Sequence, residues 1–387
     1  MTLRPQNENE LAEIVRSAAA DTRTLEIVGR GTKRGLGRPV EADAVLDLSA
    51  LTGIVRYEPD ELIITARAAT SVAEIEAALA EKNQRLGFEP AEWSALYGTA
   101  PGAATIGGVL SADANGSARL RYGAARDHLL GFTAVNGTGE IYKAGGRVVK
   151  NVTGFDLPKL FCGAMGTLGA LSEVTLRLVP RAAECAVLAV PGVEPETGLE
   201  LLRRVWSSPL EPTGLGYIPR LAAEDPFGDV GEGISLIRIE GAPAPLADKI
   251  GLLATLLDGR EATPLVHDND IFARIASGAA IAHRAEDIWR VFVPPASAAA
   301  CARKLGASFW FADWAGGALW IAGVDDAHAI AQSFGGHALL MRADAAKPTP
   351  VSVFPPEDPV RAALTRRVKD AFDPHRLFNP GRMFEGV

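Results

Sequence analysis

The stretch Val28-Gly29-Arg30-Gly31-Thr32-Lys33-Arg34-Gly35-Leu36-Gly37 places glycines among cations directly after an apolar run, Leu25-Glu26-Ile27-Val28. The apolar run reads as a strand, and Val45-Leu46-Asp47-Leu48 reads as another. Glycines let a backbone turn several N–H groups toward one point, a concavity suited to phosphate. Arg30, Lys33, Arg34 and Arg38 surround that point with positive charge. No Gly-Lys-Ser/Thr closes the loop, so it is not a Walker A. Nor does a Gly-x-Gly-x-x-Gly open a helix, so it is not the dinucleotide fingerprint. A glycine loop between two strands predicts a different kind of nucleotide site.

Working outward, Leu11, Ile14, Val15 and Ala18 recur at helical spacing and predict an N-terminal amphipathic helix. Residues 62–66 read as a strand. Ser71-x-x-Glu74 is a capping-box pattern opening a helix at Ile75. A second glycine-punctuated, strand-rich region runs from Gly98 to the strand-like 171–178. It holds Thr105-Ile106-Gly107-Gly108, Asn115-Gly116, Arg126-Asp127, Lys150-Asn151, Thr153-Gly154 and Gly166-Thr167-Leu168-Gly169.

In order and spacing these elements resemble the FAD domain of the vanillyl-alcohol oxidase family, the PCMH-type FAD-binding domain. Phe372-Asp373-Pro374 and Asn379-Pro380-Gly381-Arg382 resemble that family's C-terminus. Within the family the pattern is most similar to the E-subunit branch of the bacterial glycolate oxidases. The resemblance implies an α+β fold: a two-subdomain FAD-binding domain over residues 1–180, an α+β cap over 185–345, and a tail at 370–387 that returns to the FAD domain. The cap range itself reads as strands at 187–190, 234–239, 318–322 and 338–341 with helices at 197–206, 246–257 and 327–334. That order fits an antiparallel sheet with helices on one face.

The resemblance further implies a set of FAD-binding residues. These are Gly29, Arg30, Gly31, Thr32, Lys33 and Gly35 on the first loop, and Thr105, Gly107, Gly108 and Asn115 on the second region. Lys150, Thr153, Gly154, Gly166, Thr167 and Gly169 follow, with Glu173 and Val174 toward the adenine and Arg382 on the tail. Several relatives attach the flavin through a histidine where this chain has Thr32, so the expectation is non-covalent FAD.

Composition bounds the remainder. With 387 residues and 48% hydrophobic content the chain can build two sizeable cores. A net charge of −8 argues against nucleic acid as a general partner. No apolar run is long enough to span a membrane, and the polar N-terminus lacks a signal-peptide core. Three isolated cysteines, Cys162, Cys185 and Cys301, make neither a disulfide framework nor an iron–sulfur site. These features fit the cytoplasm, with partner subunits as the route to a membrane periphery.

The six histidines show no metal-ligand spacing. His267-Asp268-Asn269-Asp270 reads as a solvated turn, and His128 as structural. The related D-2-hydroxy-acid dehydrogenases carry Gly-His-x-Gly-Asp-Gly-Asn-x-His; here Gly335-Gly336-His337-Ala338 lacks its acid and second histidine. No catalytic residue is assigned, and His375 and Arg382 are the candidates for touching a substrate or partner. Phe309, Trp310, Phe311, Trp314 and Trp320 read as core.

The resemblance implies a FAD-dependent oxidoreductase, a subunit of a glycolate oxidase or dehydrogenase complex that takes a small 2-hydroxy acid to the 2-oxo acid. The implied partners are a homologous catalytic flavin subunit and an iron–sulfur subunit. Two alternatives stand beside it: a non-catalytic flavin-bearing accessory subunit, and a self-sufficient FAD-dependent 2-hydroxy-acid dehydrogenase. A UDP-N-acetylmuramate-forming reductase fits the tail less well.

Overall fold

The computed structural model of the chain describes residues 1–146, 155–220, 227, 231–265, 270–346 and 352–387. The chain divides into two compact units. The first comprises residues 1–114, 123–180 and 356–387; the second comprises 115–122 and 181–355.

In the first unit the helix Glu8–Ala20 forms because Leu11, Ala12, Val15 and Ala18 fall on one buried face. Asn7 caps it, its side chain accepting from Glu10 N at 3.0 Å. That face meets a three-stranded parallel sheet of Thr2–Leu3, Ala44–Asp47 and Leu25–Val28. Leu11, Val15, Leu25, Leu46, Leu377 and Phe378 meet in one core. Each such leucine, fully buried, contributes about 1.5–3 kcal/mol over leaving it exposed. A five-stranded antiparallel sheet follows, ordered Ile54–Glu58, Ile63–Arg67, Ala170–Arg177, Leu129–Val135 and Ile141–Gly145. Ser71 caps the helix Val72–Ala80, which begins three residues before the predicted Ile75.

Residues after 355 belong to the same unit. The helix Pro359–Phe372 leads to a segment that bonds along the strand Leu25–Val28: Leu25 N donates to Leu377 O (2.7 Å) and Asn379 N to Leu25 O (2.9 Å). The return therefore begins about a dozen residues before the expected 370.

The second unit is built on an eight-stranded antiparallel sheet. Its order is Thr263–Pro264, Glu184–Pro191, Gly233–Gly241, Gly214–Pro219, Phe309–Asp313, Ala318–Ala322, Ile288–Phe292 and His337–Arg342. The helices Pro195–Trp206, Pro243–Leu256, Ala298–Leu305 and His328–Ser333 pack in this unit. The α+β expectation therefore holds in both units. Residues 115–122, read in the sequence as part of the first domain, group with the second unit.

Candidate functional site

The first glycine loop leaves the end of the strand Leu25–Val28, the second glycine turn leads into the strand Ala170–Arg177, and Gly107 and Gly108 open the short helix Ile106–Ser111. These three backbone features line one cleft, open to solvent along part of its surface, together with Leu48, Ala68, Met165, Asn379 and Arg382.

The glycines serve different needs. Gly31 and Gly37 have φ of +73° and +90°, where only glycine is unstrained. Gly29 and Gly35 are glycine for space: a Cβ at Gly29 would lie 2.9 Å from Thr105 Oγ1, and one at Gly35 2.6 Å from the Tyr97 ring. Gly107 allows a close approach, but to the chain itself, since its Cβ would meet Ala68 O at 2.8 Å.

Lys33 is the charged group that distinguishes the cleft. It is 8% exposed, and its Nζ is buried without a hydrogen-bond partner. The Trp93 ring centroid lies 5.9 Å away. Burial pushes its pKa down to about 8, with the Glu92 carboxylate pulling the other way. A buried ammonium without a hydrogen-bond partner is costly unless an anion arrives to satisfy it. Arg34 does not serve that role as the sequence suggested. It forks onto Glu26, with Nε donating to Oε1 at 2.8 Å and Nη2 to Oε2. Arg30 is exposed and lines the cleft.

The C-terminal segment ties the two glycine elements together. Asn379 Oδ1 accepts from Ile27 N (2.8 Å) while its Nδ2 donates to Met165 O (2.7 Å). Arg382 Nη2 donates to Lys33 O (2.8 Å), and Arg382 O accepts from Arg38 N (2.9 Å). Burial lowers the pKa of this guanidinium from its ordinary value. Lys369, fully buried, holds the segment from behind: its Nζ donates to Thr167 O (2.7 Å), Asp373 Oδ2 (2.7 Å) and Phe378 O (2.9 Å).

Of the residues predicted from the sequence, the cleft collects Gly29, Arg30, Gly31, Thr32, Lys33, Thr105, Gly107, Gly108, Gly166, Gly169 and Arg382. Gly35 packs on Tyr97 beside it. Thr167 turns inward, its hydroxyl donating to Ala164 O at 2.8 Å. Glu173 and Val174 lie in the sheet strand outside the cleft lining, and Asn115 groups with the second unit. Lys150, Thr153 and Gly154 lie outside the described residues, as do His267 to Asn269. His128 is buried against Arg177 O and Phe88, a structural histidine. His375 is exposed. Sequence reading missed Asn379 as a site residue, although it heads the Asn-Pro-Gly-Arg signature.

The residues fit FAD. A cleft lined by glycines, with Arg30, Lys33 and Arg34 among its residues, suits a pyrophosphate.

A model of the FAD binding domain matches residues 1–145. The chain is 31% identical to glycolate oxidase subunit GlcE of Escherichia coli K12, over 97% of this chain and 96% of that protein. It is 32% identical to glycolate oxidase subunit GlcD of Bacillus subtilis over 46% of this chain and 36% of that one. The fold is similar to that of p-cresol methylhydroxylase with substrate bound, with a TM-score of 0.71, 13% identity and coverage of 99% of this chain and 88% of that one. The PCMH-type α+β fold expected from the resemblance is therefore shown, and FAD is its cofactor.

Proposed function

Because the chain belongs to the family of FAD-linked oxidoreductases that includes glycolate oxidase subunit GlcE, we propose that it is the FAD-binding subunit of a glycolate oxidase-type complex. In that complex it takes part in converting glycolate or a similar small 2-hydroxy acid to the 2-oxo acid. Its partners are a homologous flavin subunit that carries the catalytic histidines and an iron–sulfur subunit that receives the electrons. The complex works in the cytoplasm; among the described residues no helix is long and apolar enough to cross a membrane.

The observation that supports this reading is the glycine-lined cleft, with Arg30, Lys33 and Arg34 among its lining residues. Lys33 and the loop N–H groups hold the pyrophosphate, while Asn379 and Arg382 keep the two glycine elements at a set spacing. Thr32 offers a hydroxyl where a covalent link needs a histidine or cysteine, so the flavin is held without a bond. Bound FAD supplies a two-electron acceptor for the substrate carbon.

The accessory reading has support of its own. A 2-hydroxy acid must lose its hydroxyl proton to a base. His128 is packed inside against Arg177 O and His337 has no acid in a matching motif. The isolated chain should therefore reduce a dye acceptor with glycolate or D-lactate poorly, and co-expression with the two partners should restore turnover. Robust turnover by the chain alone would favour the self-sufficient dehydrogenase instead.

A further inference from the structure

The second unit contains a strained turn that the cofactor cleft does not explain. The strand Phe309–Asp313 ends in Trp314, Ala315 and Gly316, which have φ of +53°, +54° and +98°. Left-handed backbone at a tryptophan and an alanine is strained and persists only where surroundings impose it. Here they do. Asp313, wholly buried, accepts from Trp314 N through Oδ1 (2.8 Å) and from Ser117 Oγ through Oδ2 (2.8 Å). The indole Nε1 of Trp314 donates to Gly116 O (3.1 Å).

The strain sets the indole into an aromatic wall. Trp314 stacks on Phe292 (centroids 5.8 Å, 24°), and Phe292 stacks on its cross-strand partner His337 (4.9 Å, 26°). Arg119 lies over the Trp314 ring at 4.6 Å, and Arg290 lies 4.8 Å from the same ring. Arg119 is half-buried, and among the described residues no carboxylate forms an ion pair with its guanidinium. The Asp313 carboxylate is spent on Ser117 and the Trp314 backbone. His337 is solvent-exposed at one edge; partial burial first, then Arg119 and His328, lower its pKa, so the ring stays neutral near pH 7 and can donate an N–H.

A guanidinium held over an indole by its charge keeps N–H donors that can grip a planar carboxylate with two parallel bonds. The flanking rings favour a short carbon skeleton. Among the described residues this guanidinium carries no ion pair, and one such charge balances one carboxylate. We propose that Arg119, with Trp314, Phe292 and His337, forms a binding site for a small monocarboxylate in the second unit. The choice of a 2-hydroxy acid as the specific ligand rests on the function proposed above; the carboxylate site does not.

Calorimetric titration of the full, FAD-loaded chain with glycolate, D-lactate, acetate and inorganic phosphate tests this. Arg119→Gln should weaken glycolate binding by roughly tenfold or more, the value of lost charge-assisted bonds. Arg119→Lys, which keeps charge and loses the fork, should fall between. Flavin content and circular dichroism report whether each variant is folded. Glycolate affinity equal to wild type in both folded variants overturns the proposal, as does the absence of saturable carboxylate binding by wild type. Phosphate bound more tightly than any carboxylate also overturns it. Acetate bound through Arg119 while glycolate is refused supports the site and counts against the 2-hydroxy-acid reading. A chain that takes up no FAD yet binds carboxylate through Arg119 does the same.

Discussion

Among the described residues two lysines are buried in the first unit, and they are treated in opposite ways. Around Lys369 three oxygens satisfy all three N–H groups of the ammonium, one of them the buried carboxylate of Asp373. The Lys33 Nζ makes no such hydrogen bond, and the nearby Glu92 carboxylate acts on it through charge alone. The first arrangement is closed and has no capacity left for a ligand. The second leaves the ammonium without a hydrogen bond, opposed only by the charge of Glu92, and an anion that reached it would relieve that cost. The difference separates scaffold from site more sharply than burial alone, since both side chains are nearly out of water. It also explains why burial lowers the pKa of both, while only at Lys369 does a hydrogen-bonded acid pull strongly back.

The largest effect should come from breaking the closed arrangement. Lys369→Met leaves the Asp373 carboxylate buried without its cation, held only by the Leu377 and Phe378 N–H groups, and a loss of about 3 kcal/mol in unfolding free energy is expected. Chemical denaturation of apo-protein measures it; a loss under about 1 kcal/mol would mean that the pair is not the anchor described. The open arrangement should respond the other way. Lys33→Met should weaken FAD binding by roughly 10–100-fold, the worth of one or two charge-assisted bonds, while leaving the apo-chain as stable as before or more so. Flavin fluorescence titration and thermal melting read the two quantities separately. An unchanged flavin affinity would remove Lys33 from the site.

The pH profile sharpens the same contrast. In the folded apo-chain the Lys33 pKa is about 8, below its ordinary 10.5. The folded state thus binds fewer protons than the unfolded one between those values, and this group's contribution to apo stability rises as pH climbs from about 8 toward 10.5. Pyrophosphate binding favours the charged form, so flavin affinity should fall as pH rises past about 8. The Lys33→Met variant should show a flatter profile in that window. A wild-type affinity independent of pH there would contradict the open-ammonium picture. The smallest effect is expected at Gly35→Ala, where the added methyl must displace the Tyr97 ring at the cost of about 1 kcal/mol, read as a small drop in melting temperature.

Much of this was legible in the residues. The helical spacing of Leu11, Val15 and Ala18 and the apolar run before Gly29 give the first helix and strand directly, and the glycine loops announce the cleft. What was hidden depends on distant neighbours. The strand Gly214–Pro219 carries glycines that weaken any strand signal, yet they are required because a Cβ at Gly214 would strike the Phe272 ring. The strand Ile288–Phe292 breaks alternation with a buried Arg290 whose guanidinium lies among the rings of Trp314, Phe292 and Trp320. The helix Pro359–Phe372 leaves Val360 and Leu364 exposed, so its apolar pattern points nowhere. The isolation of Lys33 is invisible locally, because Trp93 and Arg382 that bury and frame it are far along the chain. Thr167 misled for a related reason: its hydroxyl is taken by Ala164 three residues back.

The bond from Arg382 to the Lys33 carbonyl joins residues 349 positions apart. At ordinary ribosomal rates that gap amounts to roughly 20–70 s of synthesis. Until residue 382 has emerged, the first loop lacks the clasp that sets its spacing from the second, however early its own strand has formed. Flavin loading in this sense waits on the synthesis of residues 379–382, and a nascent chain arrested before residue 379 should be unable to retain the cofactor.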